Sequence, residues 1–151
     1  MISAIVAVDE NWGIGFNGEL LEKIPEDMRR FKKLTIENSV VMGRKTWDSL
    51  PKKPLPDRFN IVISRQEKPY EPNSFTWTTT LDKCITTILN DDIDEYFIIG
   101  GGQIYKELLP FCDRVYVTKI FKEYKNVDTY FPNLDEPEEW DNWSVVHISE
   151  I

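Results

Sequence analysis

Short apolar runs alternate along this chain with segments whose apolar residues recur every three or four positions, and the two patterns predict different elements. "ISAIVAV" (2–8), "SVVMG" (39–43), "FNIVIS" (59–64) and "EYFIIG" (95–100) are β-branched runs that leave little polar surface, which predicts strands buried on both faces. Leu81, Cys84, Ile85, Ile88 and Leu89 follow i, i+3, i+4, i+7, i+8 spacing and predict an amphipathic helix. In "KIPEDMRRFKKL" (23–34), Met28, Phe31 and Leu34 recur at helical spacing and mark an expected buried face, Pro25 suits a first helical position, and Glu26 and Asp27 complement the positive helix end. Further helices are expected from about Arg44 to Leu50 and over "QIYKELLP", stopped by Pro110. "DRVYVTKIF" (113–121) and "WSVVHISEI" (143–151) supply later strands, while "DENWGIGFNGELLEKI" (9–24) reads as a long loop. Strands separated by helices predict an α/β fold, a mostly parallel central sheet with flanking helices. The two late strands, joined by an acid-rich stretch, predict an antiparallel C-terminal edge. Ligands of such sheets bind beyond the carboxyl ends of the strands, so those ends are where chemistry is expected.

Composition narrows the class. A chain of 151 residues with 41% apolar and 29% charged residues fits one globular domain, 1–151, able to bury a real core. Apolar runs of a few residues exclude a membrane span, and the first ten residues lack the basic region of a signal peptide. Cys84 and Cys112 form no motif and read as reduced structural thiols of a cytoplasmic protein. The single histidine, His147, supports neither a His-based metal site nor a triad, and no metal is expected. A net charge of −8 argues against a nucleic-acid partner.

Asp27 poses the sharpest question, because it lies four residues before Phe31, on or beside the apolar stripe of its helix. Either it caps the helix or pairs with Arg30 at the rim, or it lines a pocket and binds or protonates a ligand. Three strand ends look suited to phosphate. Gly43 precedes Arg44, Lys45 and Thr46, and cations in a first helical turn oppose the dipole unless an anion joins them. Ser64 and Arg65 set a hydroxyl beside a guanidinium, and Gly100, Gly101 and Gly102 allow close backbone approach to a pyrophosphate. The glycine run lacks the G-x-G-x-x-G spacing. Arg44, Lys45 and Arg65 in an acidic protein point to a nucleotide with an extra phosphate, hence NADP rather than NAD.

With those residues in view, the chain resembles the dihydrofolate reductase family from Met1 to about Pro132. "IVAV" with "NWGIGFNG" is similar to the family's first strand and active-site loop, "IPEDMRRFKKLT" to its substrate helix, "VVMGRKTW" and "ISR" to its cofactor contacts, and "PLPDR" to its glutamate-binding segment. "IIGGGQIY", "VYVTKI" and "DTYFP" follow in order. The resemblance implies NADPH-dependent reduction of dihydrofolate, for one-carbon metabolism, by a monomer open to antifolate inhibitors. It implies that Asp27 is the catalytic acid, binding the pterin and promoting protonation of N5. Ile5, Val6, Leu20, Met28, Phe31, Leu50, Leu55 and Ile99 would line the pterin and aminobenzoyl pocket, Thr118 would hold Asp27, and Arg58 would grip the substrate's α-carboxylate. Ala7, Ile14 and Tyr105 would flank the nicotinamide. Arg44, Lys45, Ser64 and Arg65 would hold the 2′-phosphate end, Thr46 with Gly101, Gly102, Gln103 and Ile104 the pyrophosphate, and Gly43 and Gly100 would also belong to the cofactor site. A carboxylate on an apolar face loses solvation, which is expected to raise its pKa toward the working pH.

Two departures stand out. Leu21-Glu22 replaces the family's usual Pro-Trp, and Glu22 either turns into the site or, as expected, points to solvent for want of a partner. The family also continues past "SVVHISEI" into one more antiparallel strand, so the last edge strand is expected to be missing. Two other readings remain: an NADPH reductase acting on a pyrimidine of riboflavin synthesis, and a non-catalytic NADP- or folate-binding protein.

Overall fold

The computed structural model describes residues 1–65 and 75–135 and the backbone of Ser149–Glu150. In chain order the elements are β1 (Ile2–Val8), β2 (Gly13–Phe16), β3 (Glu19–Leu20), α1 (Pro25–Thr35), β4 (Ser39–Gly43), α2 (Arg44–Ser49), β5 (Phe59–Ile63), β6 (Thr76–Thr79), α3 (Leu81–Leu89), β7 (Tyr96–Gly100) and α4 (Gly102–Leu108). A 3₁₀ turn (Leu109–Phe111), β8 (Arg114–Lys119), β9 (Thr129–Tyr130) and β10 (Ser149–Glu150) complete the order among the described residues.

Seven strands form one sheet in the order β10-β8-β1-β7-β4-β5-β6, and every pairing among them is parallel. Side chains divide the sheet into two layers by the strand's period of two. Ile2, Ala4, Val6 and Val8 join Val41, Ile61 and Ile98 against Cys84 and Ile88 of α3 and Tyr105 and Leu108 of α4. On the opposite face Val40, Met42, Val62 and Phe97 pack with Leu34 of α1, Trp47 of α2 and Leu50. Ile88 is closed on all sides, so Ile88→Val should cost about 1 kcal/mol, read as a lower midpoint in urea.

Three expectations need correction, and one strand goes unmarked by the sequence pattern. The C-terminal edge is parallel, since Ser149 and Glu150 pair with Thr118 and Lys119 of β8; the rest of the expected strand 143–151, His147 included, lies outside the described residues. The loop 9–24 contains a hairpin instead: Asn17 (φ 52°) and Gly18 (φ 77°) make the two-residue turn between β2 and β3, and β9 adds to β2 as a second, three-stranded antiparallel sheet. Asn-Gly is the sequence that tolerates positive φ at both turn positions, and it marked this hairpin. β6, "TWTT", is a further strand that its polar threonines concealed. On α1, Met28 is 53% exposed while Thr35 is buried, so only the last turn of this helix closes on the core.

Cys84 is buried and Cys112 half-buried; both thiols are free, and burial pushes each up to about 12, Asp113 adding to the effect at Cys112. Among the described residues no helix is long and apolar enough to cross a membrane, and no group of three or more His, Cys, Asp or Glu is placed to hold a metal ion.

Candidate active site

The register of β1 against β8 sets Ala7 beside Thr118, and the first turn of α1 reaches this point. There Thr118 Oγ1 donates to Asp27 Oδ1 at 2.6 Å, across 91 residues of sequence. Asp27 therefore neither caps α1, which has no side-chain cap, nor forms an ion pair with Arg30. Tyr105 Oη donates to the Ile5 carbonyl at 2.7 Å; burial and the Asp27 charge both raise its pKa, so it stays a neutral donor.

The expected apolar wall is assembled in part. Ile5, Leu50, Leu55 and Ile99 are half-buried around one layer of the core, and Phe31 is half-buried on α1. Leu20 (63% exposed) and Met28 (53% exposed) stand open to solvent. Val6 points into the other layer, with Ile14 and Tyr105, because adjacent residues of a strand face opposite ways. Its side chain does not share the layer of Ile5.

Arg58 is only 6% exposed. Its Nε donates to the Pro56 carbonyl at 2.9 Å and its Nη1 to Thr35 Oγ1 at 3.1 Å, with the guanidinium carbon 5.9 Å from the Phe31 ring centre. It makes no ion pair among the described residues. Desolvation lowers its pKa, opposed by the Asp57 charge. A buried guanidinium without a carboxylate is costly unless an anion is bound.

The candidate cofactor residues gather at neighbouring strand ends. Gly43 pairs with Ile63, which brings Arg44 beside Ser64 and Arg65, and Met42 pairs with Gly100. The Gly100–Gly101 peptide is cis. A methyl group on Gly43 would lie 2.9 Å from Ile104 Cγ1, and one on Gly100 or Gly101 would lie 3.4 Å from Thr46 Oγ1. Gly100, at φ 134°, also adopts a conformation that side chains disfavour. Arg44 approaches Asp48 at 3.8 Å, Lys45 and Arg65 are exposed, and the Ser64 backbone N–H donates to the Thr79 carbonyl. Gln103 is exposed and donates to Glu107 within α4.

The loop contributes residues that sequence patterns did not mark. Asp9, 2% exposed, accepts from the N–H groups of Asn11 (2.9 Å), Gly13 (2.8 Å) and Tyr124 (3.4 Å). Asp128 accepts from the Asn17 N–H at 3.0 Å and donates its own N–H to the Gly15 carbonyl at 3.1 Å. Trp12 (φ 64°) is buried, stacks on Phe131 at 6.3 Å and lies under Lys119 Nζ at 5.0 Å, so it is part of the core. Glu22 does not point freely to solvent: Tyr124 Oη donates to it and Lys122 Nζ lies 3.4 Å away. These bonds lower the Glu22 pKa, Tyr124 contributing most; partial burial and Glu22 together push the Tyr124 phenol up to about 12.

A cavity of about 1050 Å³ opens at the amino ends of β4, β5, β6 and β7, lined by Asn38, Phe59, Trp77, Tyr96 and others. Arg58 lines this cavity, whereas Asp27 and the glycine approaches lie at the other end of the sheet, where α/β sheets bind their ligands, and that end holds the rest of the candidate site.

Comparison with known proteins points the same way. The sequence model of a family described as "Dihydrofolate reductase" matches residues 1–150. The chain is 41% identical to a dihydrofolate reductase of Schistosoma mansoni, over 99% of this chain and 86% of that protein. It is 39% identical to one of Bacillus subtilis, over 97% and 82% of the two chains, and 38% identical to one of Sus scrofa, over 89% and 80%.

Proposed function

The chain belongs to the dihydrofolate reductase family, and from that premise we propose that it is a cytoplasmic, monomeric enzyme that reduces 7,8-dihydrofolate to 5,6,7,8-tetrahydrofolate with NADPH, by hydride transfer to C6 and protonation at N5, for one-carbon and thymidylate metabolism. The observation that carries this reading is the Asp27–Thr118 bond, an acid at the start of α1 fixed by a hydroxyl from β8.

The chain's residues fit a nicotinamide cofactor at the strand ends, where α2 and α4 start after Gly43 and Gly101 with no side-chain cap and Arg44, Lys45 and Arg65 are exposed. Bound there, the reduced nicotinamide supplies the hydride. Ala7, Ile14 and Tyr105 would flank its ring, Thr46 and the Gly100–Ile104 segment would take its pyrophosphate, and Arg44, Lys45, Ser64 and Arg65 would take the 2′-phosphate. The Arg44–Asp48 pair is exposed and long, so releasing Arg44 toward a phosphate costs little. Asp27 accepts hydrogen bonds from the pterin amide and amino groups and biases a proton toward N5 through water, while Thr118 fixes its orientation. Ile5, Phe31, Leu50, Leu55 and Ile99 keep water off the pterin and aminobenzoyl rings, with Leu20 and Met28 closing over them, and Arg58 takes the α-carboxylate. An antifolate with a protonated ring pairs with the same Asp27.

The test is the loss of reduced-nicotinamide absorbance. Purified protein should consume NADPH only when dihydrofolate is present, and at least about tenfold faster than NADH at equal low concentration, the worth of one charge-assisted contact. A folded protein that binds NADPH without consuming it, or that reduces a riboflavin-pathway pyrimidine instead, would sink the proposal.

A further inference from the structure

Glu22 stands five residues before Asp27, where the chain leaves the small sheet and turns into α1. Its Oε2 accepts from Tyr124 Oη, and its Oε1 lies 3.4 Å from Lys122 Nζ. Both partners belong to the stretch that follows β8, the strand whose Thr118 donates to Asp27. Two pieces of chain, 22–27 and 118–124, are thus joined twice, once at each carboxylate. We propose that Glu22 is a positioning residue for the reduction: gripped by Tyr124 and Lys122, it fixes the entry of α1 and so the pose of Asp27 against Thr118. This role rests on the reductase reading above.

The start of α1 needs such a restraint. Ile24 at its cap offers no side-chain hydrogen bond, and of its eleven residues only Thr35, at the far end, is buried. Packing therefore does not hold the turn that carries Asp27. A single bond from Thr118 fixes a distance; a second bond at Glu22 fixes the direction of the turn between them. The anchor is itself held, since the Tyr124 N–H donates to buried Asp9 and the Lys122 carbonyl accepts from the Glu10 N–H at 3.2 Å. A carboxylate suits position 22 because its two oxygens serve a phenol and an ammonium at once.

The test measures kcat, KM for dihydrofolate at saturating NADPH, and the thermal midpoint for Glu22→Ala, Tyr124→Phe and their combination, with Glu22→Ala also made in Asp27→Asn. Each single change should lower kcat about three- to tenfold, the scale of one hydrogen bond to a charged group. The combination should be no worse than Glu22→Ala alone, because that change already removes the Tyr124 contact together with the Lys122 one. Glu22→Gln, which keeps an acceptor for the phenol, should recover most of kcat, and Glu22→Ala should cost nothing further in Asp27→Asn. An unchanged kcat in Glu22→Ala, with or without a lower midpoint, overturns the proposal, as does an undiminished loss in the Asp27→Asn background. Normal turnover by Asp27→Asn itself would instead remove the role of the acid, and the positioning role with it, so the two failures are told apart.

Discussion

Asp27→Asn is expected to lower turnover of dihydrofolate at neutral pH by about 10²–10⁴-fold, the range that a positioned proton donor or acceptor contributes. The substitution is nearly isosteric, and the Asn carbonyl oxygen can still accept from the Thr118 hydroxyl that now bonds Oδ1 at 2.6 Å. The helix and the fold should therefore persist, less about 0.3–1 kcal/mol of favourable interaction between an acid and the start of α1. What the amide cannot do is carry a negative charge or pass a proton. Binding of NADPH should survive, because its candidate phosphate contacts come from the ends of β4, β5 and β7. The deficit should narrow as pH falls and solution protons reach N5 directly. Steady-state kinetics across pH, beside NADPH binding followed by fluorescence, check all three points. Near-normal turnover at neutral pH would refute the role of Asp27.

Arg58→Met is expected to separate binding from stability. The guanidinium is buried, donates to Pro56 and Thr35, and has no acidic partner among the described residues. Folding bears the cost of that burial, and substrate binding recovers it if a carboxylate completes the fork. Met replaces the charge with an apolar chain of similar length that still packs beside Phe31. Thr35 Oγ1 loses the bond it accepts but keeps its own bond to the Phe31 carbonyl at 2.7 Å, so the Pro56 carbonyl is the group left without its partner. The thermal midpoint should stay level or rise, while KM for dihydrofolate rises about 10–100-fold, the worth of a charge-assisted pair. A dihydropterin without the glutamate tail should be handled equally by both proteins. An unchanged KM for dihydrofolate, or an equal loss on the tail-less substrate, would place the carboxylate site elsewhere.

Much of this protein is written in its local patterns. β-branched runs mark β1, β4, β5 and β7, and the spacing of Leu81 to Leu89 marks α3, because burial of a strand or helix face is a property of residues near one another in sequence. Pro25 and the acids after it mark the start of α1, and the motif order marks the family and its candidate residues. The antiparallel edge, the closed face of Met28 and the freely solvated Glu22 were expectations that three-dimensional packing replaced. β6 escaped because it relies on pairing with β5 for its place and carries threonines where apolar residues would have announced it. The hairpin at Asn17-Gly18 was written locally too, but in turn chemistry rather than hydrophobic period.

The tertiary structure alone decided which groups meet. Thr118 reaches Asp27 across 91 residues, Tyr124 reaches Glu22 across 102 and Asp9 across 115, and no spacing along the chain encodes such pairs. The family resemblance supplied the first of them; the other two exist only because β8 lies beside β1 and carries the following segment over the loop. Sequence period fixes which face of an element is apolar, whereas the identity of a hydrogen-bond partner depends on where distant elements cross, and that is settled by the packing of the whole sheet.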